Sequence, residues 1–197
     1  MAEQARPLRA DAARNRARVL EVAYETFAAE GLSVPIDEIA RRAGVGAGTI
    51  YRHFPTKEEL FRAVVRDHIR RLIEGGYALL ESDGPAEALF GFLRSMVRWG
   101  AKDRGVVEAL AGLGIDVGQE AEEAFLALLG ELLRSAQNAG TARRDIGTRD
   151  VKSLLVGCQA MESYNPESAE RVTDVVIDGL RTSQVGPSDL ALGIGEC

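Results

Sequence analysis

The chain has 197 residues, of which 46% are hydrophobic and 27% are charged, and its net charge is −6. This composition is typical of a soluble globular protein with its own core, and no apolar run approaches the roughly 20 residues of a membrane span. The N-terminus lacks the apolar segment of a signal peptide, and the two cysteines, Cys158 and Cys197, follow neither a disulfide nor a metal-binding pattern. We therefore expect a cytoplasmic protein rather than a membrane or disulfide-stabilised secreted one.

The charge is unevenly distributed along the chain. Residues 1–57 carry nine basic and seven acidic side chains, a charge of +2, whereas residues 58–197 carry −8. A surface that binds nucleic acid needs basic side chains facing the phosphates, so the total charge alone argues against such a surface. The distribution instead favours a small nucleic-acid-binding head on an acidic body, provided that the basic residues of the head share one face.

The N-terminal region predicts an arm followed by a helix. Residues 1–14 are interpreted as a flexible basic arm, and both an arm that touches phosphates and a frayed terminus remain open. From about Asp11 to Glu30, apolar side chains recur at helical spacing, and Gly31 ends the pattern. This first helix is expected to pack across the segment that follows it.

Residues 36–60 predict two short helices and the start of a third. Gly44 ends the first helix, because glycine readily adopts the left-handed conformation of a helix cap. The second helix, about residues 47–53, begins only about three residues later, which is the length expected of a helix-turn-helix joint. Ile50 and Phe54 face inward at i and i+4, so the residues between them are left to point outward.

A long helix is predicted to follow this motif. Thr56 and Glu59 have the spacing of a capping box, in which each residue satisfies a backbone N–H near the helix start. The apolar pattern continues to about Leu80, so the helix links the head to the rest of the chain. Gly75 and Gly76 are expected to bend it.

The remainder of the chain predicts further helices and a tail. Helical faces are expected at 89–99, 103–113, 119–139, 148–161 and 165–180, and no stretch alternates with period two. Gly, Pro and Ser dominate the end of the chain, so residues 184–197 are predicted to be disordered. The predicted fold is all-α with about nine helices. A three-helix head, residues 15–57, continues into a linking helix to about residue 74 and carries a helical body, residues 75–183.

The motif resembles the DNA-binding domain of the TetR family of bacterial repressors. The resemblance covers roughly the first third of the chain and is carried by a gapless set of residues: Ile39-Ala40, Ala43-Gly44-Val45, Gly48-Thr49-Ile50-Tyr51, His53-Phe54-Pro55 and Lys57-x-x-Leu60. It implies a DNA-binding protein whose second motif helix enters the major groove of double-stranded DNA.

The resemblance also implies which residues meet the DNA. The candidates lie along the second motif helix and just after it: Ala47, Gly48, Thr49, Tyr51, Arg52, His53 and Lys57. Lys57 matches a phosphate clamp, although a solvated lysine is an equal alternative. Where members of the family often have polar or basic residues, this chain has Ala47 and Gly48. We therefore expect few direct hydrogen bonds to bases, with thymine-methyl contacts and DNA shape contributing more.

In the body, the resemblance implies an effector pocket among the middle helices. Its aromatic and methionine side chains are the candidates: Tyr77, Phe92, Met96, Trp99, Phe125 and Met161. Few titratable groups accompany them, so a hydrophobic or aromatic ligand is expected, with Arg94, Arg98 or Glu108 orienting a polar end. The alternative is that these side chains are ordinary core residues.

The last two helices are expected to form a homodimer with their twins. The candidate interface residues are apolar: Leu154, Leu155, Cys158, Val172, Val175, Val176 and Leu180. Gly157 and Gly179 would allow the helices to cross closely. The alternative is that the same faces belong to the core of a single chain.

No arrangement of residues predicts catalysis or a cofactor. The two histidines, His53 and His68, lack metal-binding partners at suitable spacing, and the glycines from Gly44 to Gly48 do not match a nucleotide-binding loop. The predicted function is a dimeric transcriptional repressor that a small hydrophobic ligand releases from its operator. The alternatives are an activator and a helical ligand-binding or enzymatic protein whose head does not engage DNA.

Overall fold

The computed structural model describes residues 5–103 and 118–182. Within these ranges it contains eight α-helices and no β-strand, which confirms the predicted all-α fold. The helices are α1 (Ala5–Glu30), α2 (Ile36–Ala43), α3 (Ala47–His53), α4 (Lys57–Ser82), α5 (Ala88–Lys102), α6 (Gln119–Asn138), α7 (Thr148–Tyr164) and α8 (Pro166–Leu180). A 3-10 turn, Gly31–Ser33, follows α1. The predicted tail, and all but the first residue of the helix predicted at 103–113, lie outside the described ranges.

Helix α1 begins earlier than the sequence analysis predicts. It starts at Ala5 rather than near Asp11, so the predicted arm of residues 1–14 is helical from Ala5 onward. Alanine and arginine are strong helix formers and dominate this segment. Pro7 lies in the first turn, where its missing N–H has no acceptor within the helix and therefore costs nothing.

The head has its own hydrophobic core, built by α1, α2, α3 and the first half of α4. Its fully buried side chains include Leu20, Phe27, Ile39, Ile50 and Phe61. Gly44 caps α2 with a φ of 69°, and its N–H donates to the Ala40 and Arg41 carbonyls, as a left-handed glycine cap requires. Only residues 44–46 separate α2 from α3, so the predicted helix-turn-helix is present.

Helix α4 connects the two halves of the molecule and runs unbroken for 26 residues. The predicted capping box begins it: the Thr56 hydroxyl accepts from the Glu59 N–H at 3.2 Å, and the Glu59 carboxylate accepts from the Thr56 N–H at 3.3 Å. Gly76 has a packing role that the sequence does not predict. A Cβ atom there would lie 2.6 Å from Leu128 Cδ2, so the missing side chain lets α4 and α6 approach closely.

The body is a bundle of the second half of α4 with α5 to α8. Its core contains Phe90, Phe92, Leu129 and Leu132, all nearly inaccessible to solvent. Arg181, directly after α8, closes the bundle, because its guanidinium lies 3.9 Å above the Phe90 ring and pairs with the Glu87 carboxylate at 2.7 Å. None of the helices in the described ranges is long and apolar enough to cross a membrane.

Candidate nucleic-acid interface

Helix α3 is fixed from one side and open on the other. Ile50 is 1% exposed and anchors the helix in the head core. Phe54, at the C-terminal cap of α3, is 5% exposed. Tyr51 is 46% exposed, and the side chains of Arg52 and His53 are also exposed. The structure therefore presents these three predicted contact residues together on an outward face, which is the arrangement of a recognition helix.

The start of α3 is small and lacks a side-chain cap. Gly46 occupies the N-cap position without a side-chain hydrogen bond, and the Thr49 N–H donates back to its carbonyl at 2.8 Å. Ala47 and Thr49 are half-buried, whereas Gly48 is exposed and a Cβ atom there would meet nothing within 4 Å. The packing of the head does not require glycine at position 48. The missing side chain of Gly48 therefore affects only a molecule that binds to the outer face of α3.

Lys57 has a contact that the sequence analysis does not predict. Its ammonium donates to the Leu32 carbonyl at 2.9 Å, and the side chain is half-buried. This bond ties the first turn of α4 to the 3-10 turn that follows α1. An ammonium has three donors, so the contact leaves two of them for other acceptors.

Helix α1 contributes side chains that the sequence analysis misses. Asn15 and Arg16 line a cleft of about 130 Å³ beside α3, opposite Thr49 and His53. The Arg16 guanidinium lies 5.7 Å from the centre of the Phe54 ring. The sequence could have indicated these two residues. They lie one helical turn before the buried Val19 and therefore on the same face of α1 as its buried apolar side chains.

Other basic residues of the head are engaged in ion pairs. Arg41 binds the Glu38 carboxylate at 2.7 and 2.8 Å, and Arg42 binds Glu38 at 2.7 Å and also pairs with Glu30. The hydrogen bonds from Arg41 and then Arg42 lower the pKa of Glu38 to about 2. Arg52, in contrast, forms no hydrogen bond or ion pair with any residue of the described ranges, so its guanidinium is available to an external anion.

A stack of three rings joins the head to the body. The His68 imidazole of α4 lies between the Tyr24 phenol of α1 and the Trp99 indole of α5, with centroid distances of 4.5 and 4.7 Å. The indole N–H of Trp99 donates to the Tyr24 hydroxyl. Burial, followed by the neighbouring Asp103 carboxylate, raises the pKa of Tyr24, so its hydroxyl stays protonated. Trp99, a candidate pocket residue, therefore belongs to this ring stack.

The other five predicted pocket residues lie either in the body core or in a surface groove. Phe92 and Met96 are buried in the body core, where the Phe92 and Phe125 rings are 6.2 Å apart, and Met161 packs against the same core. Tyr77 is 40% exposed and lines a groove between α4 and α6. The structure thus distributes the six candidates over a core, a ring stack and a surface groove.

The predicted dimer residues also divide into two groups. Leu155, Cys158 and Leu180 are at most 4% exposed and belong to the core of the single chain. Val172 and Val176 are half-buried, whereas Leu154 and Val175 are 37% and 70% exposed. Two further apolar side chains of α7, which the helical pattern does not single out, are exposed: Val156 at 56% and Tyr164 at 91%.

The comparisons with known proteins match both halves of the chain. Residues 19–64 match a family model described as "Bacterial regulatory proteins, tetR family", and residues 84–182 match one described as "Transcriptional regulator SbtR-like, C-terminal domain". A curated HTH-type transcriptional regulator of Staphylococcus aureus is 42% identical over 62 residues, which are 30% of this chain and 34% of that protein. The chain therefore matches about a third of the length of this relative.

Two solved structures resemble the whole fold. A TetR transcription regulatory protein from Mycobacterium vanbaalenii is 59% identical, with a TM-score of 0.75, over 89% of this chain and 100% of the other. A TetR transcriptional regulator from Streptomyces coelicolor is 36% identical, with a TM-score of 0.71, over 85% and 99%. These matches extend through head and body alike.

Proposed function

The chain belongs to the TetR family of bacterial transcriptional regulators, and from this premise we propose that it is a repressor that a small ligand releases from its operator. The head, residues 15–57, binds double-stranded DNA, and the body, residues 75–183, holds the ligand and the partner subunit. The protein acts as a regulator rather than an enzyme. It works in the cytoplasm, where bacterial DNA is found.

The observation that carries the DNA-binding assignment is the outward face of α3. Tyr51 and His53 offer hydrogen-bonding groups to phosphates or base edges, and Arg52 offers a guanidinium without a partner in the described ranges. Arg16 adds a second cation beside the helix. At Ala47 and Gly48 the α3 backbone comes close to the groove, where small side chains favour thymine-methyl contacts and a reading of DNA shape. Lys57 contacts a phosphate with the donors that Leu32 does not use.

A homodimer built from α7 and α8 is supported by their outer surfaces. Leu154, Val156 and Val175 are large apolar side chains of these helices that are exposed to water in the single chain. At both Gly157 and Gly179, an added Cβ atom would meet nothing within 4 Å, so the single chain does not need glycine at either position. Both glycines would instead allow α7 and α8 to cross closely with the same helices of a partner subunit. One short recognition helix offers too little surface for operator-level affinity, and a dimer supplies two.

The coupling between ligand and DNA runs through the ring stack. Tyr24, His68 and Trp99 come from three helices, so a shift of α5 in the body either moves α1 and α4 with it or breaks the stack. Ligand binding then changes the separation of the two heads in the dimer. A ligand that moves nearly the whole population must favour the DNA-incompetent state by about 5.5 kcal/mol.

Selection of bound DNA from a fragmented bacterial genome tests the proposal. The full-length protein is expected to enrich a small set of fragments that share two related half-sites, with binding that weakens steeply as salt rises. Failure to enrich any fragment in a salt-sensitive manner would favour the alternative, a helical protein whose head does not engage DNA. An adjacent reporter gene then separates repression from activation by the direction in which its expression changes.

A further inference from the structure

The ends of α5, α7 and α8 form a partly open cavity in the body that none of the six predicted aromatic and methionine pocket residues lines. Its volume is about 230 Å³, and Val97, Pro166 and Ala169 form its apolar wall. This volume is below the roughly 300–1,000 Å³ of sites for drug-sized ligands, so it suits a smaller molecule.

Two buried polar side chains, those of Glu162 and Thr173, line the cavity. The Glu162 side chain is only 9% exposed, yet its carboxylate forms no hydrogen bond or ion pair with any residue of the described ranges. Thr173 is 5% exposed, and within the described ranges its hydroxyl has no hydrogen-bond partner of standard geometry. The Cys158 thiol lies beside it, but a thiol is a weak hydrogen-bonding group and does not satisfy a buried hydroxyl. Buried polar groups are normally satisfied, so the Thr173 hydroxyl indicates a missing partner, and the Glu162 carboxylate on the same cavity is an acceptor without a bonded donor.

The charges around the cavity decide which donor fits. Arg94 is paired with Asp174 at 3.0 Å, so these two charges compensate each other. Arg98 and Glu170 are both exposed, and together with Glu162 the five charged side chains of the lining, two basic and three acidic, carry a net charge of −1. The charge that remains in the buried part is the Glu162 carboxylate. A cation is therefore favoured there over a neutral molecule or an anion.

We propose that this cavity binds a small organic amine. The ammonium donates to the Glu162 carboxylate and to the Thr173 hydroxyl, because its three donors match these acceptors. The hydrocarbon part packs against the wall of Val97, Pro166 and Ala169. Amine binding rests on this geometry alone, whereas a role of the amine as the effector rests on the proposed function.

Calorimetric titration of the full-length protein tests the site directly. The probes are butylamine, hexylamine and benzylamine, with the alcohols and carboxylic acids of the same carbon skeletons as controls. The amines are expected to bind, whereas the alcohols and the carboxylic acids are expected not to bind. Absence of binding at millimolar amine, or equal binding of the carboxylic acids, would overturn the proposal.

Three variants identify the residues that hold the amine. Glu162→Gln keeps the shape but removes the charge, and it is expected to weaken amine binding at least tenfold. Thr173→Val keeps the volume and is expected to weaken it severalfold. Glu167→Gln removes an exposed carboxylate of α8 that does not line the cavity and is the matched control, with less than a twofold change. Circular dichroism checks that each variant folds.

The outcomes separate this site from the proposed function. Unchanged amine affinity in Glu162→Gln overturns the site. Conversion of the Glu162→Gln variant to monomers would overturn it as well, since the carboxylate would then pair with the partner subunit. Amine binding by a protein that binds no DNA sustains the site while the repressor assignment fails. Amine binding that leaves DNA affinity unchanged sustains the site and removes only its effector role.

Discussion

His68 stacks on Trp99 with 4.7 Å between the ring centroids and 22° between the planes. The two residues come from α4 and α5, and the stack continues to Tyr24 of α1 on the other face of the imidazole. One half-buried contact thus joins the helix that packs behind the DNA-binding motif to a central helix of the body. Because Trp99 is the only tryptophan of the chain, its fluorescence reports on this contact directly.

The stability of the protein is expected to fall below pH 6.5 because of His68. Burial lowers the pKa of His68 from its usual 6.5, Arg71 acts in the same direction, and Asp103 and Asp67 oppose the shift. The unfolded chain therefore takes up the proton at a higher pH than the native chain does. Stability is lost as the pH falls from 6.5 toward the native pKa, by at most about 1.4 kcal/mol per pH unit.

Urea unfolding at pH 7.5 and 5.5, followed by Trp99 fluorescence, measures this effect. The His68→Gln variant, which has no titratable ring, serves as the control and should lose less stability between the two pH values. An equal loss in both proteins would assign the pH dependence to other groups.

Two glycine-to-alanine substitutions are expected to have opposite effects on stability. Gly76→Ala places a methyl group 2.6 Å from a side-chain carbon of Leu128, which is fully buried. Overpacking of this kind costs about 1–3 kcal/mol, more than the helix propensity that alanine gains. Gly48→Ala meets no atom within 4 Å, so it should stabilise α3 by up to about 1 kcal/mol. Chemical denaturation of both variants measures the difference.

Gly48→Ala is also expected to weaken operator binding despite this gain in stability. The added methyl group faces outward at the start of α3 and would hold the backbone away from the groove. A loss of about tenfold in affinity, or about 1.4 kcal/mol, is expected in a gel-shift titration. Unchanged affinity for the selected operator would mean that position 48 lies outside the DNA contact.

Arg52→Ala should weaken DNA binding on every sequence alike. Loss of one phosphate contact per subunit removes counterion release and lowers the slope of log affinity against log salt by about one for each subunit. Arg144→Ala removes the same charge from an exposed loop of the body and serves as the matched control. Equal salt slopes for the two variants would place Arg52 away from the phosphates.

Val175→Glu is expected to convert the proposed dimer to monomers. Val175 is 70% exposed in the single chain, so a glutamate there costs little until a partner covers it and buries the charge. Val176 is half-buried against the body core, and the same change at Val176 would also damage the fold. Sedimentation at micromolar concentration measures the shift, with Val175→Thr as an uncharged control of similar size. A wild-type protein that sediments as a monomer would contradict the dimer itself.

The sequence by itself determined the features that depend on neighbouring residues. The capping box of Thr56 and Glu59, the left-handed cap at Gly44 and the inward placement of Ile50 all follow from local backbone geometry and helical periodicity. Each one involves residues that are at most four positions apart along the chain. The predictions of an all-α fold and of a helix-turn-helix head were correct for this reason.

The tertiary structure alone decided what each apolar or basic side chain faces. Helical periodicity places Phe92, Trp99 and Val175 alike in apolar stripes. Contacts with distant helices make Phe92 a core residue and Trp99 part of a ring stack, whereas Val175 stays exposed. Lys57 meets the Leu32 carbonyl, 25 residues away in sequence, for the same reason. Gly76 is needed because Leu128 reaches α4 from another helix. Such contacts depend on how the helices cross, and a periodic pattern carries no information about the partner that covers it.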